Sequence, residues 1–181
     1  MTCGESNKNR KLKIGNPFVA LLSASLIVIA ASGCRSNGKH GELVSTTLSM
    51  SSYVDALHRV NPGHSTTYLF PVLEIYNEAG VLIYRDNASM TNARILREFP
   101  GSVQNLPPKE DAPRLVKVLE EIPDFKPWAR EIVGKKKLTI LSVGLEDCRA
   151  CSIQEQALDG LEKRLVQQPA VAILEINVTE R

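Results

Sequence analysis

The sequence predicts an α/β fold, and three observations predict it. Two apolar, β-prone runs, Lys137 to Val143 and Ala170 to Val178, flank a helical segment from Ser152 to Gln167. Two further β-prone runs, Tyr68 to Tyr76 and Val81 to Arg85, are joined by the short Gly-containing stretch Asn77-Glu78-Ala79-Gly80, which is the pattern of a β-hairpin. Between these two β units lie runs with apolar residues at helical spacing. Helices interleaved with strands in this way give layers packed on a central mixed sheet.

Taken in order, Arg35 to about Ser52 is polar, rich in Ser, Thr and Gly and without strong periodicity, so residues 34–52 are expected to form a flexible tether. Residues 53–181 are the expected folded domain. Tyr53 to Val60 predicts a short helix, with Val54, Leu57 and Val60 at helical spacing and Pro62-Gly63 as its stop. The hairpin follows. Thr91 to Phe99 predicts a helix capped by Thr91 or Asn92 and ended by Pro100-Gly101. Asp111 to Ile122 predicts another, with Asp111 as N-cap, Pro113 in the first turn and a buried stripe of Leu115, Val118, Leu119 and Ile122. Pro123 stops it, and Trp128 to Val133 predicts a last short helix before the basic turn Lys135-Lys136-Lys137. In the helix from Ser152, Ile153, Ala157, Leu158, Leu161 and Leu165 supply the apolar positions, and Gly160 is expected to mark a close helix–sheet approach.

The candidate chemistry sits at the joint between the strand ending near Val143 and that helix. The sequence there reads Gly144-Leu145-Glu146-Asp147-Cys148-Arg149-Ala150-Cys151. Two cysteines three positions apart on a first helical turn share one face, so their sulfurs can reach disulfide distance. The free amides and positive dipole end of a helix start favour the thiolate. Arg149 adds to that effect, whereas Glu146 and Asp147 oppose it. Cys148 is the expected nucleophile and Cys151 the expected resolving thiol. Three roles fit the residues: thiol exchange, an inert bridge, or metal binding with further ligands. A bridge over so short a loop constrains the unfolded chain little. His40, His58 and His64 are the only histidines, none near the cysteines in sequence. No metal or cofactor is expected.

At the N-terminus, Lys8, Arg10, Lys11 and Lys13 precede an apolar stretch from Pro17 to Ala31. The chain then reads Ala31-Ser32-Gly33-Cys34, which is similar to the signal of a bacterial lipoprotein. That resemblance implies a signal peptide over residues 1–33, cleavage after Gly33 and lipidation (palmitate included) of Cys34. The domain would then be a membrane-anchored protein of the cell envelope, facing the periplasm or the exterior. An uncleaved anchor or plain secretion is the alternative; the apolar stretch is close to the lower limit of about 17 residues for a spanning helix. Of the 22 Lys and Arg and 20 Asp and Glu, four basic residues and one acidic residue lie in 1–33, leaving 18 against 19 beyond. The domain therefore has no basic surplus for nucleic acid. It also has no Gly-rich phosphate loop, nucleophile elbow or paired His-Glu zinc motif.

The run from Leu138 to Val178 resembles the thioredoxin-like superfamily: strand, Cys-x-x-Cys, long helix, strand. The resemblance covers about a quarter of the chain. In that family a strand pair follows, opened by a cis proline that faces the dithiol. Here no proline follows the dithiol, but Pro71 opens the hairpin upstream. The resemblance thus implies a thioredoxin-like α/β sandwich in circularly permuted order, with Pro71 as a site residue beside Cys148 and Cys151; an α/β sandwich with another strand order is the alternative. The chain departs from the family in having Asp147 before the first cysteine and Arg149-Ala150 between the two. The function it implies is thiol-disulfide oxidoreduction on envelope protein thiols or disulfides. A non-catalytic lipoprotein that binds an envelope partner, or a metal-binding lipoprotein, is the alternative.

Overall fold

The computed structural model describes residues 42–63, 68–165 and 170–180. The expected signal peptide, the lipidation site Cys34, His40 and His64 lie outside the described residues. The elements run β1 (Glu42–Ser49), α1 (Met50–Val60), β2 (Val72–Asn77), β3 (Leu82–Asp86), α2 (Ser89–Arg97), α3 (Leu115–Glu121), α4 (Ala129–Ile132), β4 (Leu138–Leu145), α5 (Arg149–Leu165) and β5 (Val171–Thr179). The five strands form one mixed sheet in the order β1-β5-β4-β2-β3. β1, β5 and β4 are parallel, and β2 is antiparallel to both β4 and β3. The fold is therefore α/β with a central mixed sheet, as the sequence predicts.

Each sheet face is covered. One carries α1, α3 and α4 over a core that includes Tyr76, Leu119, Phe125 and Leu174. The other carries α2 and α5 over Leu73, Ile75, Ile140 and Leu161. β4 is central, and all but the two ends of its span are buried, as expected for a strand roofed on both faces. α5 alone bridges the parallel neighbours β4 and β5, the usual crossover.

The tether expected over 34–52 is corrected for its C-terminal part. Residues 42–49 are strand β1, paired along its length with β5, and 50–52 already belong to α1. The reason is a period-two pattern hidden in polar residues: Val44, Thr46 and Leu48 face inward while Leu43, Ser45 and Thr47 are exposed. The Thr46 hydroxyl also donates to the Asp124 carboxylate, tying this edge strand to the connection after α3. Ser49 closes the strand and caps α1 by accepting from the Ser52 amide at 3.2 Å.

Other boundaries shift for local reasons. α2 starts at Ser89, so neither Thr91 nor Asn92 is its cap; the Asp86 carboxylate instead takes the amides of Asn87 (2.7 Å) and Ala88 (3.1 Å). α3 starts at Leu115, not at Asp111, because the Leu115 amide is held by the Gly80 carbonyl at 2.9 Å. The expected stripe of Leu115, Val118, Leu119 and Ile122 is buried. Gly80, in the β2–β3 turn, has φ +67°, a region where a side chain is disfavoured, and a Cβ there would lie 3.3 Å from Val133. The helix–sheet approach expected at Gly160 is absent: beyond its chain neighbours and its own helix backbone, no atom lies within 4 Å of where its Cβ would be.

Candidate functional site: the disulfide at the start of α5

β4 delivers the chain to one end of the sheet, and a two-residue turn, Glu146-Asp147, reverses it into α5. Asp147 has φ +59°, and it is the one non-glycine residue with positive φ among those described. Asp tolerates this left-handed region better than most residues because its short side chain is polar and unbranched at Cβ. The turn is pinned by the Cys148 amide on the Leu145 carbonyl (3.2 Å) and by the Glu146 amide on the Val178 carbonyl (2.8 Å).

Cys148 and Cys151 are bonded to each other, with Cα atoms 5.2 Å apart, inside the usual range for a disulfide. Cys148 immediately precedes the first helical residue and is half-buried; Cys151 is 1% exposed. The Cys148 carbonyl accepts from the amides of Cys151 (3.0 Å) and Ser152 (3.3 Å), so Cys148 occupies the N-cap position. Each sulfur also accepts a backbone hydrogen bond. The Cys151 amide donates to Cys148 Sγ at 3.1 Å, and the Leu145 amide donates to Cys151 Sγ at 3.4 Å. Hydrogen bonds of this kind favour a thiolate over a thiol.

Gly144 permits α5 to come this close. A Cβ there would sit 3.3 Å from Glu155 Oε1 and 3.8 Å from Cys151 Cβ. Outside the sulfurs lies an open concavity of about 540 Å³, edged by Cys148, Arg149, Glu146, Asp147 and Glu155 and by Asn177 of β5. On β5, the Glu175 carboxyl is pushed above its ordinary value, first by burial and then by the α5 carboxylates of Asp159, Glu162 and Glu155.

Pro71 is buried, follows a cis peptide bond from Phe70, and directly precedes β2. Because Val72 pairs with Val143, Pro71 lies at the same end of the sheet as the Leu145–Cys151 contact. A polar network joins the two. Gln154, 1% exposed and one turn after Cys151, donates through Nε2 to the Val72 carbonyl (3.0 Å) and to Ser142 Oγ (2.9 Å). Its Oε1 accepts from Asn92 Nδ2 (2.7 Å), and Asn92 also donates to the Asp86 carbonyl (3.2 Å) and accepts from the Tyr84 hydroxyl (2.9 Å). Sequence reasoning missed Gln154 and Asn92. The signal for Gln154 was its position on the stripe 151, 154, 158, 161, 165, where a polar residue faces the core and needs partners.

His58 is placed away from the cysteines, against the Tyr68 hydroxyl at 3.2 Å. No group of three or more His, Cys, Asp or Glu able to hold a metal ion occurs among the described residues, and no described helix is long and apolar enough to cross a membrane. Comparison with protein-family models, with curated proteins and with solved structures returned no match.

Proposed function

We propose that this chain is an envelope-anchored thiol-disulfide oxidoreductase that works through the Cys148–Cys151 pair. The observation that supports it best is the asymmetry of the two sulfurs: one reachable at a helix start, the other buried, each with its own backbone donor.

A partner thiolate attacks Cys148 Sγ, the accessible sulfur. A new S–S bond forms to the partner, and the Cys148–Cys151 bond breaks. The electron pair leaves on Cys151 Sγ, where the Leu145 amide stabilises it. A second partner thiolate then attacks the partner's own sulfur in the mixed disulfide. Cys148 Sγ leaves with the electron pair, received by the Cys151 amide and by the amino end of α5. The two protons of the partner thiols pass to solvent or to the new thiolates. The partner dithiol is oxidised to a disulfide and the cysteine pair is reduced. Run backwards, the same steps reduce a partner disulfide.

The thioredoxin-like reading rests on three features: a central strand leading into the dithiol helix and then a parallel neighbour, the hairpin on the other flank of that strand, and a buried proline opening the hairpin. In this reading the hairpin precedes the dithiol unit, giving the permuted order, and β1 adds an outer parallel strand. Envelope location and the lipid anchor rest on the motif around Cys34 alone.

Equilibration of the full chain with glutathione or dithiothreitol buffers, read by thiol titration, tests the proposal. A reversible two-thiol couple within the range of the known dithiol oxidoreductases, about −120 to −270 mV, is expected. A pair that neither reduces nor reoxidises over that range identifies an inert bridge.

A further inference from the structure

On the opposite face of the sheet from α5, between α1 and the β2–β3 hairpin, lies a cavity of about 440 Å³. This is within the ~300–1,000 Å³ common for small-molecule sites. Its walls are mainly apolar, with Leu57, Val60, Phe70 and Val143 among them. Its polar lining includes Tyr53, Glu74, Tyr76, Arg85 and Asp86.

Those polar groups are unequally satisfied. Both oxygens of Glu74 are engaged: Oε1 faces Arg85 Nε at 3.2 Å and Oε2 accepts from the Tyr76 hydroxyl at 2.5 Å. Tyr53 differs. It is 6% exposed, its ring packs against Phe70 at 5.9 Å, and among the described residues its hydroxyl has no hydrogen-bond partner. Burial, then the nearby Glu74 carboxylate, hold that hydroxyl protonated well above its ordinary range, so it is a donor. Arg85, which also lines the cavity, uses Nε on Glu74, and its two terminal nitrogens are likewise donors. No fully buried side-chain oxygen or nitrogen among the described residues lacks a partner, so the Tyr53 hydroxyl is not sealed off: it opens on the cavity it lines, where an acceptor can meet it.

We infer that this cavity binds a small amphipathic molecule with an apolar body and a carbonyl-type acceptor, carboxylate or neutral, that meets the Tyr53 hydroxyl and the Arg85 guanidinium. The apolar body lies along Leu57, Val60 and Phe70. The site is separate from the dithiol and does not depend on thiol chemistry.

Photolabelling of the full chain with a medium-chain fatty acid that carries an alkyl diazirine, followed by peptide mapping, tests this. Labelling is expected on the peptides around residues 53–60 and 70–76. Tyr53→Phe removes only an unpartnered hydroxyl and leaves the fold intact; it is expected to weaken competition by unlabelled medium-chain carboxylate about three- to tenfold. Leu57→Trp, which fills the cavity, is expected to abolish labelling. A methyl ester that competes as well as the carboxylate assigns recognition to the carbonyl; competition by the carboxylate alone assigns it to the charge. Equal competition by the unsubstituted hydrocarbon, label distributed without preference for these peptides, or both variants labelled like wild type would overturn the inference.

Discussion

Replacing Gln154 by Leu removes three buried hydrogen bonds while keeping the side chain's volume roughly constant. The Val72 carbonyl, Ser142 Oγ and one hydrogen of Asn92 Nδ2 lose their partner at once. A buried group left unsatisfied costs about 1–3 kcal/mol, so three such groups amount to roughly 3–9 kcal/mol before any relief. Relief is real: Asn92 keeps the Asp86 carbonyl and the Tyr84 hydroxyl, and Ser142 can rotate its own hydroxyl. The apolar gain from Leu recovers at most ~1.5–3 kcal/mol. A net loss of about 2–4 kcal/mol is expected, which for a domain of this size is a fall in Tm of about 6–16 °C. Urea unfolding of wild type and variant, followed by circular dichroism, measures it. Ser142→Ala alone is expected to cost about 1 kcal/mol, and the double variant less than the sum of the singles, because both act on one bond. A Gln154→Leu variant within ~0.5 kcal/mol of wild type would refute the view that this network holds α5 to β2 and β4.

Four further outcomes follow from single residues. Gly160→Ala is expected to stabilise by about 0.5–1 kcal/mol, since the Cβ meets open space and helical Gly is costly; a loss in the same unfolding assay would show that the glycine is required. Asp147→Val, which forces a β-branched side chain to φ +59°, should cost at least ~1–2 kcal/mol, whereas Asp147→Gly should stay within ~1 kcal/mol of wild type; equal effects would contradict the strained-turn argument. The folded-state pKa of Glu175 is raised, so its contribution is full below the unfolded carboxylate value of about 4.3 and is lost as pH rises through the raised value. Glu175→Gln should therefore raise Tm at pH 7, with the gain shrinking toward pH 4; a gain independent of pH would reject it. Cys34→Ser is expected to abolish acyl labelling and leave unprocessed precursor, and normal processing would remove the lipoprotein reading.

Much of the fold was legible because it is written in apolar periodicity. Ile140, Leu141 and Val143 mark β4, and Leu158, Leu161 and Leu165 mark the buried stripe of α5. Strand β1 was hidden because Leu43 on the outward face and Thr46 on the inward one blur its alternation, and its Ser and Thr are equally at home in a tether. The helix starts near Asp111 and Thr91 were misplaced because long-range partners, the Gly80 carbonyl and the Asp86 carboxylate, set those boundaries, and such partners leave no local trace. The cysteine pair was visible from its spacing. Its surroundings were less so: the Leu145 amide on Cys151 Sγ depends on the β4 turn, and Gln154 reads as an ordinary polar helix residue until its face is known. The cavity by Tyr53 is invisible in sequence, since it is made by α1 standing clear of the β2–β3 hairpin.

Trapping of mixed disulfides tests the central claim most directly. Cells that make Cys151→Ser, with Cys148 left as the accessible thiol, are quenched with acid and alkylated, and their proteins are separated without reductant. The account predicts discrete, reductant-sensitive adducts, because the intermediate has lost the sulfur that would release the partner. Cys148→Ser, whose remaining thiol is 1% exposed in the native fold, should give none. Equal trapping by the two variants, or no adduct with either, would contradict the account.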